Sequence, residues 1–267
     1  MERALGLMAG AGVLPGRAAA EASRQGWRVV AFAFDDAPDL DTHADAVIPS
    51  RLEDISAVLS ELASRGVSAA LFVGKFAKQR VFAQRGRNAD AAALGLARQG
   101  LSDGALGEMV VATLAQLGIE VLDQRQFFSP LMAAAGVLTA RGPTAEELAE
   151  MKQGFAVAHH LAALGIGQTV VRALGVTVAV EAIEGTDETI RRGTALAGPG
   201  AVVIKAVAPS QDYRFDIPTV GLATLEAMIG GGATALGIAG GRLLVMDREE
   251  VIRRADHFGI AVAGLDG

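Results

Sequence analysis

Short β-rich runs and amphipathic helical runs take turns from Ala4 to Asp123, and this alternation constrains the fold more than any other feature. ALGLMA (4–9), RVVAFAF (28–34), DAVIP (45–49), AALFVG (69–74) and IEVLD (119–123) read as strands. A small-residue helix follows Pro15. Leu52, Ile55, Val58, Leu59 and Leu62 line one face of another, with Ser50 and Glu53 at capping-box spacing ahead of it. Further helical runs lie around Ala91 to Arg98 and Leu106 to Leu117. Strands separated by helices do not pair through tight hairpins, so the pattern predicts a parallel sheet covered by helices.

The alternation breaks at QRQFFSPLMAAAGVLTARGP (124–143), which has no clean period. This places one domain at 1–126, a linker at 127–143 and a second domain at 144–267. Thr144 and Glu147 open a helix by a second capping box. QTVVRA and VTVAVE form a hairpin across Leu174-Gly175. A helix from about Asp187, the strand AVVIKAV, a helix near Leu222 to Met228, the strand RLLVM, a helix capped by Asp247 and the strand IAVAGL complete an α/β chain. No internal repeat or low-complexity segment interrupts it.

Composition excludes several functions. Formal net charge is −6 and the pI is near 5.3, so a basic footprint for nucleic acid is missing. No cysteine is present, which removes disulfides, thiolate catalysis and cysteine metal sites. Hydrophobic residues make up 51% and aromatics 4%, a mix that favours Ala, Val and Leu packing over disorder. Arg3 and the apolar run after it imitate a signal peptide, but Glu2 and the turn AGAGVLP argue against one. The window Leu161 to Val180 contains Gln168, Arg172 and glycines, and makes a poor bilayer span.

Four segments bear chemistry. GAGVLP (10–15) follows a strand and opens a helix, where glycines let backbone N–H groups approach a phosphate; Asp35 ends the next strand, where dinucleotide folds hold a ribose. A tight turn with Pro at the helix start explains the same residues. Gly74 and Lys75 end another strand, either as a ligand contact or as a solvated basic turn. In VEAIEGTDETIRRG, Glu181, Glu184 and Asp187 crowd one loop; Gly185 permits an unusual backbone angle, and Thr186 or Asp187 can cap the helix. Such a loop offers N–H groups to phosphate and carboxylates to magnesium, or simply caps a helix.

The segment KAVAPSQDYRFDIPTVG (205–221) sets Asp216 between Phe215 and Ile217-Pro218. A carboxylate buried among apolar neighbours is costly unless paired or bound to a cation. Lys205, Gln211 and Arg214 lie close by for an anionic substrate, while an Asp216–Arg214 pair or a helix cap is the plainer reading. The histidines carry no metal pattern: His159 and His160 point apart on a helix, and His43 and His257 sit in polar contexts.

Together GLMAGAGVLP, VEAIEGTDETIRRG, KAVAPSQDYRFDIPTVG and GGRLLVMDREEVI resemble the cytosolic UDP-2,3-diacylglucosamine pyrophosphatases of lipid A synthesis, the type unrelated to calcineurin-like metallophosphoesterases. The likeness runs from about Leu5 to Leu265. It implies a Rossmann-like parallel-sheet N-terminal domain and an α/β C-terminal domain peculiar to the family, with the substrate between them. It implies Mg2+-dependent hydrolysis to UMP and 2,3-diacylglucosamine 1-phosphate, a homodimer, and a cytoplasmic location with passing contact to the inner membrane. The family's essential aspartate, in its R-x-D-x-P segment, maps onto Asp216, as metal ligand or general base.

On that resemblance Glu184 and Asp187 complete the metal shell, and Gly185 and Thr186 touch phosphate. Gln168, Lys205, Gln211 and Lys75 bind substrate, and Gly10, Gly12 and Leu14 line the nucleotide side. Phe127 to Leu138 offers apolar surface either to acyl chains or to interdomain packing. The family pattern has a lysine before the first proline of the third motif; here that position is Ala208. Two rivals stand beside this reading: an NAD(P)-dependent oxidoreductase, against which Pro15 argues, and a non-catalytic nucleotide-sugar or lipid-binding protein.

Overall fold

A parallel five-stranded sheet forms from β1 (Ala4–Ala9), β2 (Arg28–Ala33), β3 (Ala46–Pro49), β4 (Ala69–Val73) and β5 (Glu120–Val121), in the order β3-β2-β1-β4-β5. The computed structural model describes residues 3–76 and 103–266, the side chains of 103–105 excepted. Its contacts divide the chain into two compact units, Met1–Phe128 with Asp212–Asp216, and Ser129–Gln211 with Ile217–Gly267. The helical run read at Ala91 to Arg98 lies outside the described residues.

In the first unit, β1 is buried along its whole length, as a central parallel strand covered on both faces must be. The helices are α1 (Leu14–Arg24), α2 (Leu40–His43), α3 (Ile55–Ser64), α4 (Asp103–Gln116) and α5 (Arg125–Phe128). Met8, Phe32, Leu62, Ala70, Leu114 and Ile119 share one core, so α3 and α4 pack against the sheet through Leu62 and Leu114. The cap of α3 differs from the sequence reading. Asp54, not Ser50, is the N-cap and accepts from Ala57 N (3.3 Å), while Ser50 Oγ donates to the Ile48 carbonyl and finishes β3.

The second unit is built on a six-stranded sheet, order β6-β13-β11-β9-β7-β8. Its strands are β6 (Gly136–Val137), β7 (Thr169–Ala173), β8 (Val176–Val180), β9 (Val202–Lys205), β11 (Ala235–Ala239) and β13 (Ala261–Leu265). β9, β11 and β13 run parallel; β7, β8 and β6 pair antiparallel. β10 (Thr219–Val220) and β12 (Leu244–Val245) make a separate parallel pair, so the run RLLVM keeps only its middle as strand. The helices are α6 (Ala145–Ala163), α7 (Thr186–Ala197), α8 (Leu222–Gly231) and α9 (Arg248–His257).

Successive strand residues point to opposite faces, and β7 shows which helix takes each. Val170 joins the core of Met151 on α6, whereas a Cβ on Gly193 of α7 would stand 2.6 Å from Val171. The sheet is therefore sandwiched between α6 and α7. Arg172, on the α6 face and buried, is satisfied by Glu150 (2.7 Å), Gln153 (2.6 Å) and Thr177 (2.9 Å).

The capping box at Thr144 and Glu147 forms as read. The hairpin turn forms too, with Leu174 and Gly175 both at positive φ (50° and 81°), the twist that two-residue hairpin turns require. Asp247 occupies the N-cap of α9 without a side-chain capping bond, which corrects its expected role. Phe127, Phe128 and Ala133 of the apolar stretch Phe127 to Leu138 are buried, whereas Ser129, Pro130 and residues 134–137 are exposed.

Candidate active site

Three regions bring the sequence candidates together. The first is the start of α7 in the second unit. Gly185 is its N-cap at φ 85° and ψ 170°, a region nearly closed to residues with a Cβ. The cap makes no side-chain bond, which replaces the expectation that Thr186 or Asp187 caps the helix; Thr186 is the first helical residue. Helix α8 likewise begins behind a glycine, Gly221, without a side-chain cap. Thr224 Oγ1 of α8 donates to Asp187 Oδ1 of α7 (3.2 Å), so the two helix starts lie side by side.

Lys205, at the end of β9, reaches this place. Its ammonium, in a residue only 8% exposed, donates to Thr186 Oγ1 (3.0 Å) and the Thr219 carbonyl (3.0 Å). Thr186 Oγ1 in turn donates to Glu181 Oε1 (3.1 Å), and Glu181 Oε2 accepts from Gln168 N (3.2 Å). A buried ammonium needs hydrogen bonds and a counter-charge. The neighbouring hydroxyl and carbonyl supply the bonds, and Glu181 supplies the charge one hydroxyl away. Two positive helix ends and this cation meet here beside the carboxylates of Glu181 and Asp187.

Glu184, expected in the metal shell, is hydrogen-bonded within its own loop and helix. Its Oε1 accepts from Arg192 (2.6 Å) and Thr189 Oγ1 (3.3 Å), and its Oε2 accepts from Ala182 N (3.2 Å). Backbone N–H bonding and the Arg192 guanidinium hold its carboxyl below the ordinary range. Both oxygens thus help to close the loop ahead of α7. Among the described residues no three Asp, Glu or His side chains gather as a metal cage.

The second region is the carboxyl edge of the first sheet. Strand order reverses between β1 and β4, and ligands of open α/β sheets bind outside such a switch point. Gly10 and Gly74 meet here so closely that a Cβ on Gly10 would stand 2.7 Å from the Lys75 carbonyl oxygen. The expected phosphate donors are already used: Gly10 N donates to Val73 O (2.8 Å), Ala11 N to Lys75 O (2.9 Å) and Gly12 N to Asp36 O (3.0 Å). The N–H groups of Gly10, Ala11 and Gly12 therefore close the turn. Leu14 opens α1, and a small pocket beside Lys75 is lined by Phe34, Asp35, Arg51 and Phe76.

The third region is Asp212–Asp216. It packs within the first unit, although its neighbours in sequence belong to the second. Tyr213 O accepts from Gln124 N (3.0 Å), and the Arg125 guanidinium lies 4.1 Å from the Tyr213 ring centroid. Arg214 is clamped by Asp212 and donates to Glu108 Oε1 of α4 (2.5 Å). The Asp212 hydrogen bond and then Glu108 raise the Arg214 pKa; the same guanidinium holds the Asp212 carboxyl below its ordinary range. The Phe215 ring packs tilted against Phe72, with centroids 5.2 Å apart and 54° between the planes.

Asp216 follows these anchors, with its N–H donating to the Asp212 carbonyl (3.2 Å). Ile217 beside it is buried, yet Asp216 itself is exposed, which corrects the expectation of a buried carboxylate. The turn directs one residue inward and leaves the next at the surface. Gln211 N donates to the Ala208 carbonyl (3.2 Å), and Arg242 also reaches that carbonyl (2.7 Å). Glu108, Phe72, Thr219 and Thr224 escaped the sequence reading. Thr219 alone had a local signal, since it follows Ile217-Pro218 in the quoted segment.

The LpxI N-terminal domain family matches residues 4–131, and the LpxI C-terminal domain family matches residues 134–263. The chain belongs to the LpxI family. A relative from Caulobacter vibrioides, UDP-2,3-diacylglucosamine pyrophosphatase LpxI, is 31% identical over 278 aligned positions that cover 99% of this chain and 98% of the relative. A solved biotin carboxylase domain of a single-chain bacterial carboxylase aligns over 63% of this chain and 36% of its own, at 19% identity and a TM-score of 0.26, a likeness too slight to bear on fold or function. In LpxI terms, Asp212–Asp216 lies inside the C-terminal family match while packing with the N-terminal unit.

Proposed function

We propose that this chain hydrolyses the pyrophosphate bond of UDP-2,3-diacylglucosamine with Mg2+ as cofactor, giving UMP and 2,3-diacylglucosamine 1-phosphate for lipid A synthesis. The observation that carries the reading is the pair of LpxI matches along the chain, joined by 31% identity to a UDP-2,3-diacylglucosamine pyrophosphatase over 99% of its length.

Magnesium prefers oxygen ligands and is commonly held by one or two carboxylates, with substrate phosphates and waters completing its shell. An exposed Asp216 fits that donor set better than a cage of three acids would, and Glu184 is already engaged. Asp216 would hold the ion; Asp187 is the remaining carboxylate of the expected set. When bound, Mg2+ neutralises charge on the diphosphate oxygens and acidifies water.

The residues of the chain divide the remaining work. Water adds to one phosphorus as the bridging P–O bond breaks, and the water's proton must leave. The Asp216 carboxylate is the acceptor in the general-base form of this reading. Lys205, Thr186 and the N-terminal amides of α7 offset the negative charge that grows on the phosphate oxygens, an effect strongest where water is scarce. Gln168 and Gln211 contribute polar contacts to the substrate. Lys75, Leu14 and the turn of Gly10 and Gly12 contact the uridine side.

Among the described residues no helix is long and apolar enough to cross a membrane. The proposed setting is cytoplasmic, at the inner-membrane surface where a diacylated substrate resides, with the chain working as a homodimer. Ile183 (99% exposed), Leu164 (73%) and Ile166 (46%) give the second unit apolar surface for such contact.

The test is incubation of the chain with UDP-2,3-diacylglucosamine in Mg2+, then in EDTA, then with Mg2+ restored, with UDP-GlcNAc in parallel. The reading expects UMP release that stops in EDTA, returns with the ion and is much slower from UDP-GlcNAc. Absence of UMP in Mg2+ would remove it.

A further inference from the structure

Residues Asp212–Asp216 are held by three unlike contacts to side chains and backbone more than 85 positions away in sequence. Phe215 packs on Phe72, Arg214 reaches Glu108, and Tyr213 is pinned by Gln124 N and Arg125. A single exposed ion pair would contribute little on its own. Here the Arg214–Glu108 pair acts on a guanidinium whose orientation Asp212 already fixes through both carboxylate oxygens. Gly107 adds a steric limit: a Cβ there would lie 2.8 Å from Phe215 Cε2, so α4 approaches the ring as closely as a glycine permits. Asp216 comes directly after these anchored residues and is tied by its own N–H to the Asp212 carbonyl. Between Tyr213 and Asp216 the chain has little freedom to reorient without breaking one of these contacts.

We infer that Glu108 and Phe72, acting through Arg214 and Phe215, are positioning residues for the Asp216 carboxylate, and that Gly107 is kept small to seat Phe215. This rests on the reading of Asp216 as the essential acid. A carboxylate misplaced by about 1 Å is enough to cost on the order of 100-fold in rate without loosening substrate binding. The anchors therefore act on kcat, since neither Glu108 nor Phe72 is assigned a contact with the substrate.

Two variants test the inference while sparing the fold. Gly107→Ala places a methyl against Phe215 in a helix that alanine favours, and Glu108→Gln removes charge at a largely exposed side chain. Both are measured for UMP release and thermal stability, alone and on an Asp216→Ala background. The expected result is a fall in kcat of about tenfold or more for Gly107→Ala and about threefold or more for Glu108→Gln, with KM within about twofold. Melting temperatures should stay near wild type, and neither change should have a further effect once Asp216 is alanine. Unchanged kcat in both variants, a change confined to KM, or equal losses with and without Asp216 would each overturn the positioning role. If Asp216→Ala itself retains full activity, the underlying reading of Asp216 fails instead, and the two failures are told apart by that one arm.

Discussion

Lys205 Nζ lies 3.0 Å from Thr186 Oγ1, joining the end of a buried strand to the first turn of a helix that starts on a bare glycine. In the proposed reaction this pair meets a phosphate whose charge grows toward the transition state. Lys205→Met keeps the aliphatic stem and removes the cation. We expect kcat/KM for UMP release to drop about 100-fold, the range for losing one preorganised donor. A loss below about threefold would take Lys205 out of the reaction.

Gly185 carries a conformational demand. At φ 85° and ψ 170°, with open space around the site of a Cβ, alanine meets no clash and pays only in backbone strain. That strain is about 1–3 kcal/mol. Gly185→Ala should lower urea-unfolding stability by that amount and reduce activity together with it. Wild-type stability in this variant would mean that the loop relaxes to another conformation.

Arg141 and Glu147 lock the start of α6. Glu147 accepts from Thr144 N (2.8 Å) and pairs with Arg141 (2.7 Å), which also donates to the carbonyls of Thr234 (2.6 Å) and Gly259 (2.8 Å). Burial pushes the Glu147 carboxyl up, but the Arg141 bond and the Thr144 N–H outweigh it and hold it below the ordinary range. Glu147→Ala loses both the cap and the partner of a half-buried guanidinium, at a cost of about 2 kcal/mol. Chemical denaturation checks this, and a change below about 0.5 kcal/mol would contradict it.

The Asp212–Arg214 clamp has a pH signature. The folded pKa of Asp212 is depressed, chiefly by the Arg214 hydrogen bond, so its stabilisation is present above the unfolded carboxylate value and lost as pH falls through the folded one. The segment should hold steady from neutral pH down to about 4 and release below it. Tyr213 is the only tyrosine and reports the event by its near-ultraviolet circular dichroism. Arg214→Gln removes the cause of the shift and should abolish this pH-dependent release. Coincident transitions in both proteins would show that the clamp does not govern the segment.

The fold was largely legible because β1, β2 and β4 are uninterrupted apolar runs punctuated by turns, and such runs carry their own signal. The two capping boxes show where local pattern ends. Thr144 and Glu147 form theirs, whereas Ser50 and Glu53 lose the helix start to Asp54, an equally competent cap a few residues on. At the candidate site, Lys205, Thr186 and Gly185 lie in motifs that could be marked in advance. Glu108, Gln124 and Phe72 could not, because their contacts to Asp212–Asp216 span long stretches of chain and leave no spacing to read. The N–H groups of Gly10 and Gly12 left two readings open for a related reason: a glycine turn looks the same whether its donors face a ligand or the next strand.

Asp216→Asn tests the central claim most directly, since it keeps size and polarity and removes only the charge and the proton acceptor. UMP formation in a single turnover with saturating UDP-2,3-diacylglucosamine and Mg2+ is the measurement, alongside substrate affinity. The account predicts a rate lower by about 1,000-fold with affinity within about threefold of wild type. A rate within about tenfold of wild type would contradict it.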